Sequence, residues 1–116
     1  MNKESDLMRQ RLSVLLDSLQ ATQVSASDAA RTVELDQARV GRLSRMDALQ
    51  AQAMSLESNR RREARIRNIR SALARIERGE YGDCIECGEP VDPRRLKADP
   101  AAALCIACAE VSGASG

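Results

Sequence analysis

Every cysteine of the chain lies in one stretch, YGDCIECGEPVDPRRLKADPAAALCIAC, residues 81–108, as two Cys-x-x-Cys pairs with seventeen residues between them. Paired cysteines can form disulfides, exchange electrons as dithiols or hold a metal. The spacing C-x2-C-x17-C-x2-C of Cys84, Cys87, Cys105 and Cys108 falls within that of four-cysteine zinc sites. Two intervening residues make a tight knuckle that aims both sulfurs at one point. Two such knuckles supply a tetrahedron, and thiolates suit Zn²⁺ at about 2.3 Å. Gly82 and Gly88 flank the first pair, where a knuckle needs permissive backbone. Pro90, Pro93 and Pro100 mark the segment between the pairs as turns rather than one helix. Four thiolates leave no coordination position for water, so the expected ion is one structural Zn²⁺. It would hold together a module with no histidine and no aromatic core. A redox dithiol needs a strand–helix setting with a proper core, and none is visible; an iron–sulfur cluster remains the other metal reading.

The elements that carry this module follow from composition. The 116 residues include no Phe and no Trp, and Tyr81 is the single aromatic. A compact layered domain usually draws on aromatic side chains, whereas the abundance of Ala, Leu, Arg, Gln and Glu suits long helices. The net charge of +1 points to no nucleic-acid partner. Charge is nevertheless unevenly placed. From Ser58 to Arg78 eight arginines face two acids, and from Gly79 to Glu110 seven acids face three cations. A basic helix runs into an acidic module. No apolar run is long enough to span a bilayer, and MNKESDLMRQ lacks the apolar stretch of a signal peptide. The expected location is the cytoplasm, with no membrane association, and there thiols stay reduced.

Met8, Leu12, Leu15 and Leu19 recur at helical spacing, widened by Leu7 and Leu16. They predict a first helix from about Lys3 into the low twenties. Ser25, Ser27 and Asp28 then suggest a bend, and Asp36 is the preferred N-cap of a second helix. Leu43, Met46, Leu49, Ala53 and Leu56 continue a stripe that Ile66, Ile69, Leu73 and Ile76 resume after the polar SNRRRE. Gly79 stands where a C-cap glycine belongs. A helix from Asp36 to Arg78 would reach about 65 Å. So narrow a stripe needs a partner, and the first helix supplies it. The expected fold is all-α: an antiparallel helical hairpin of coiled-coil type over residues 1–78, a four-cysteine zinc finger over 79–110 and a flexible tail over 111–116. The arginines of SNRRRE read either as a solvated face or as a basic contact patch.

The string ERGEYGDCIECGEPVDPRRLKADPAAALCIAC after a helical hairpin resembles the DksA/TraR family of bacterial transcription regulators. The likeness includes the Tyr-Gly before Cys84, the pair Arg95 and Leu96, and Pro100 ahead of the second knuckle. It implies a non-enzymatic protein whose coiled coil enters the secondary channel of RNA polymerase, as GreA-type factors do. It implies control of promoter-complex lifetime without reading DNA sequence, and action as a monomer. The acidic tip pattern of the family, Asp-x-x-Asp-x-Ala, finds Asp36 and Ala38 in VELDQA. Val33 replaces the first aspartate, with Glu34 one position away as a substitute and Asp47 as the reserve. The resemblance also implies basic residues for the alarmone ppGpp, yet Asp99 and Ala109 stand at the matching places. An acid there repels a polyphosphate, while Arg61, Arg65 and Asn68 could still contribute.

The alternative function is a zinc-ribbon nucleic-acid-binding or protein-interaction module using its basic helix. A DNA-gripping finger should itself be basic, and this one is acidic. Without aromatics it also lacks stacking platforms for single strands.

Overall fold

The computed structural model describes residues 3–40 and 45–112, with side chains for 3–29 and 46–112. It contains α1 (Lys3–Val40), α2 (Arg45–Glu77), α3 (Pro93–Ala98) and α4 (Ile106–Ser112). The chain is an all-α helical hairpin followed by a small cysteine module. An isolated antiparallel bridge, Asp83 to Pro90, is the extended pairing among the described residues. None of their helices is long and apolar enough to cross a membrane.

The helix boundaries correct the sequence reading. α1 does not stop in the low twenties but runs for 38 residues. Ser25, Ser27 and Asp28 lie inside it, and so does Asp36, which therefore caps no second helix. The physical reason is that SASDAARTVELD contains neither Gly nor Pro. Its Ser, Thr and Asp residues each cost a helix only a few tenths of a kcal/mol, at most about 0.7. Thr22 shows how such a residue is accommodated, its hydroxyl donating to the Ser18 carbonyl at 3.0 Å. α1 is described as far as Val40, and α2 begins at Arg45 with Asp47 in its first turn. Leu43, in the expected second stripe, lies outside the described residues.

Two compact units make up the chain, residues 17–66 and residues 1–16 with 67–116. In the second of these, Leu12 of α1 and Ile69, Ala72 and Ile76 of α2 are buried. The ion pair Arg9–Glu77, at 3.2 Å, joins the start of α1 to the end of α2, as an antiparallel pairing requires. Arg75 is 96% buried (4% exposed), with Nη1 donating to Ser71 Oγ at 2.7 Å. Its burial lowers the affinity of the guanidinium for its proton, an effect that Tyr81 opposes. Leu7, expected to widen the stripe of α1, is instead 60% exposed.

In the unit of residues 17–66, Ile66 is buried as expected, but Met46, Leu49, Ala53 and Leu56 are exposed. The three-four spacing places them on a helix face without making that face buried. Arg60 and Arg61 both pair with Glu57, at 3.5 and 3.2 Å, and remain largely in solvent.

α2 ends as Gly79 leads one to expect. Gly79 has φ +71°. Its amide donates to Ile76 O at 3.1 Å and that of Glu80 to Arg75 O at 2.8 Å, the paired bonds of a Schellman cap. An added Cβ at Gly79 would meet nothing within 4 Å, so the left-handed backbone alone excludes other residues. Gly79→Ala is therefore expected to destabilise the protein by about 1 kcal/mol, read as a lowered urea midpoint of the helical circular dichroism. An unchanged midpoint would mean that the cap contributes nothing.

Candidate metal centre

The first knuckle is built on the short hairpin closed by the Asp83–Pro90 bridge. The Cys84 amide donates to Glu89 O at 2.8 Å, that of Gly88 to Cys84 O at 2.9 Å, and that of Val91 to Gly82 O at 2.8 Å. Gly88 takes φ +78° to reverse the chain just after Cys87. The second knuckle is the entry to α4. There the Cys108 amide points at Cys105 Sγ, 3.5 Å away, and the Ala109 amide donates to Cys105 O at 2.9 Å. One bond links the knuckles, from the Ile85 amide to Ala103 O at 3.0 Å.

The result is a cluster of four sulfurs lying within 4.8 Å of one another, the one such group among the described residues. Cys87 Sγ and Cys105 Sγ are 3.7 Å apart. A disulfide requires about 2.05 Å, whereas tetrahedral zinc at about 2.3 Å per thiolate spaces its sulfurs by about 3.8 Å. The four cysteines are free thiols, spaced for a metal rather than for each other.

Proton affinities in the cluster say the same. Hydrogen bonds from the amides of Cys105, Cys87 and Glu86 draw the Cys84 thiol down to about 6, against the opposing effect of burial. The sulfurs of Cys105, Cys84 and Cys87 push Cys108 up to about 12. By themselves the four groups cannot ionise together, because each thiolate raises the cost of the next. A divalent cation removes that conflict. The donor set fits one structural Zn²⁺, whose chemistry here is crosslinking.

A small apolar floor supports the knuckles: Cys84, Val91 and Leu96 are buried, with Tyr81, Ala102, Leu104, Cys105 and Cys108 packed against them. The residues around it explain the sequence string. Tyr81 donates its hydroxyl to Pro100 O at 2.7 Å, and its burial raises the phenol above its usual range. Asp92 caps α3 by accepting from the Arg94 amide at 2.9 Å, and Pro93 fills the first helical position. Pro93 thus begins a short helix where only turns were expected. Arg95 Nε reaches Leu104 O at 3.0 Å. Leu96 lies in the floor.

One contributor had no local signal. Arg11 of α1 donates to Lys97 O at 2.9 Å, at the end of α3. The two residues are 86 positions apart, and an exposed arginine on an amphipathic helix looks like any other.

The remaining candidates lie elsewhere. Asp99 Oδ1 accepts from the Ala101 amide at 3.1 Å, and Ala109 is buried, so the two places considered for ppGpp offer no cation. Arg61 is paired with Glu57, Arg65 is half-buried and Asn68 is exposed. Glu34, Asp36 and Ala38 belong to α1, but their side chains lie outside the description. Asp47 is exposed in the first turn of α2.

Residues 79–112 match the family model of the prokaryotic dksA/traR C4-type zinc finger. Among solved structures, the chain is similar to transcription factor DksA2 from Pseudomonas aeruginosa. The two share 31% identity over 94% of this chain and 82% of that one, with a TM-score of 0.74. It also shares its fold with the RNA polymerase binding protein and transcriptional regulator Dks from Chlamydia trachomatis L2. That identity is 21% and the TM-score 0.60, over 100% of this chain and 98% of the other. No curated protein sequence gives a significant match.

Metal analysis of the purified protein should find one zinc per chain. Cys84→Ser should lose it together with the order of residues beyond Glu80, while the helical signal of α1 and α2 persists. Ligating thiols must be deprotonated, so the stabilisation by metal belongs to high pH and is lost at low pH. Zinc should therefore be retained at neutral pH and released on acidification, as protons compete with it for the sulfurs. A metal-free protein with an ordered finger would contradict this.

Proposed function

Because the chain belongs to the dksA/traR family of C4 zinc-finger transcription factors, we propose that it is a non-enzymatic regulator of transcription initiation that binds RNA polymerase. In this reading the hairpin enters the secondary channel and its far end acts near the active site. Zinc bound by Cys84, Cys87, Cys105 and Cys108 keeps the finger folded. The protein acts as a monomer in the cytoplasm and reads no DNA sequence. The observation that carries the proposal is the match to a transcription factor over 94% of the chain, hairpin included, rather than over the finger alone.

For the tip we propose Asp36, with Glu34 and Ala38 beside it. Asp36 lies four residues before the end of α1, and Asp47 opens α2, so both flank residues 41–44. A carboxylate in the first turn of a helix, as at Asp47, has a structural use against the positive helix end. Asp36 lies toward the negative end of α1, where a carboxylate is disfavoured. An acid placed against local preference is better accounted for by function.

Capture of purified core RNA polymerase, weakened by a GreA-type competitor, is the expected outcome of a pull-down. Failure to bind polymerase would remove the reading. Asp36→Asn should leave that binding nearly unchanged, since asparagine keeps the size and shape of the side chain. It should abolish most of the effect on promoter-complex lifetime. Wild-type regulation by Asp36→Asn together with a loss in Asp47→Asn would move the tip to α2.

A further inference from the structure

Arg75 is the one charged side chain buried among the described residues, at 4% exposed. A guanidinium keeps its proton in proteins, so its burial leaves a full positive charge inside. Buried charges are ordinarily paired, yet among the described residues no carboxylate pairs with this one. The acids nearest in sequence are engaged elsewhere: Glu77 holds Arg9 at 3.2 Å and Glu80 holds Arg78 at 3.0 Å. Asp99 accepts from the Ala101 amide and is not among the groups that act on Arg75, which are Tyr81 and Arg78. The last turn of α2, where Arg75 lies, presents only partial charges to it, and its own carbonyl is taken by the Glu80 amide.

The guanidinium is held so that one edge stays unused. Nη1 donates to Ser71 Oγ at 2.7 Å, which fixes the plane of the group. Nε is sealed from water and has no acceptor. Nη2 has no acceptor among the described residues either but is not sealed, so the edge opens to the solvent. The Nε–H and one Nη2–H bond point the same way, and this is the fork that takes two oxygens of a carboxylate or a phosphate. The neighbourhood is positive. Arg11 reaches Lys97 O and the Tyr81 hydroxyl reaches Pro100 O, carbonyls three residues apart, and both Arg11 and Arg75 act on the Tyr81 phenol.

We propose that the Nε–Nη2 edge of Arg75 is a binding site for one small free oxyanion, held through two of its oxygens as the counter-charge of the buried guanidinium. The fork selects the ligand for paired oxygens, the uncompensated charge selects it for being an anion, and the narrow opening selects it for size. A nucleotide is too large for a side chain exposed by only 4%. The site is therefore separate from Arg61, Arg65 and Asn68, which lie at least seven residues earlier on α2. An anion bound here ties the last turn of α2 more firmly, because it removes the cost of an unpaired charge in the interior.

The test uses the zinc-loaded full chain with sodium acetate and sodium phosphate as separate probes, against sodium chloride at equal ionic strength. Titration calorimetry should find one acetate or one phosphate per chain, and the urea midpoint should rise with that anion and level off. The stronger of the two probes tells a planar carboxylate-type ligand from a tetrahedral one. Arg75→Lys keeps the charge and removes the fork, and should weaken binding about tenfold or more. Arg75→Met should abolish binding and make the urea midpoint independent of the anion. Arg70→Gln, which removes an exposed cation of the same helix, should bind as the wild type does. Equal weakening by Arg70→Gln and Arg75→Lys overturns the site in favour of diffuse attraction by charge. Binding unchanged in Arg75→Lys and Arg75→Met also overturns it. If neither Arg75 variant folds, the wild-type titration decides, and a wild-type chain that takes up neither anion overturns the proposal.

Discussion

Four sulfurs within 4.8 Å of one another constitute a conflict that protein chemistry alone does not resolve. As thiols they make poor contacts, and as thiolates they repel. The amides that favour the Cys84 thiolate deepen the conflict, because they invite the first negative charge while the neighbouring sulfurs resist a later one at Cys108. Everything beyond Gly79 is arranged around that point: a hairpin closed by one bridge, two helices of six and seven residues, and an apolar floor with three buried members. Without a cation the floor is too small to order so many turns, since fixing each residue costs about 1 kcal/mol or more. The finger is organised by its ion.

The hairpin solves a different problem with equally sparse means. Leu12, Ile69 and Ile76 are the large side chains fully hidden in the helical part of their unit, where Ala72 and Arg75 are also buried. Cohesion there comes from many modest contributions along two long helices. The Arg9–Glu77 pair fixes register more than it adds stability, because both partners keep substantial contact with water. The buried Arg75 ties the end of α2 to Ser71 and lies in the electrostatic range of Tyr81, the residue that opens the finger.

The legibility of this fold in the sequence follows the range of the interactions involved. The cysteine spacing and the Gly79 cap were readable because ligand geometry and backbone strain are settled within a few residues. The periodic stripe of α1 was readable for the same reason. Asp36 was misread as a cap because serine, threonine and aspartate look like punctuation, although their helix cost is small. Met46, Leu49 and Leu56 were misread as buried because periodicity identifies a face, not what covers it. The roles of Tyr81 and Arg95 were visible only as parts of a familiar string; their bonds to the Pro100 and Leu104 carbonyls give the physical reason. Arg11 was not legible at all.

The Arg11–Lys97 bond has a consequence for how the chain is made. The first sixteen residues belong to the same compact unit as residues 67–116, so a segment made earlier finds its partners only among residues made later. Leu12 has no Ile69 to pack with until most of the chain has been synthesised, and Arg11 must wait for Lys97. An unpaired amphipathic helix in that interval exposes its stripe to the solvent and to other nascent chains. The charged residues that alternate with Met8, Leu12 and Leu15 then keep the waiting segment dispersed. That unit is completed only when the part that binds the metal has been made.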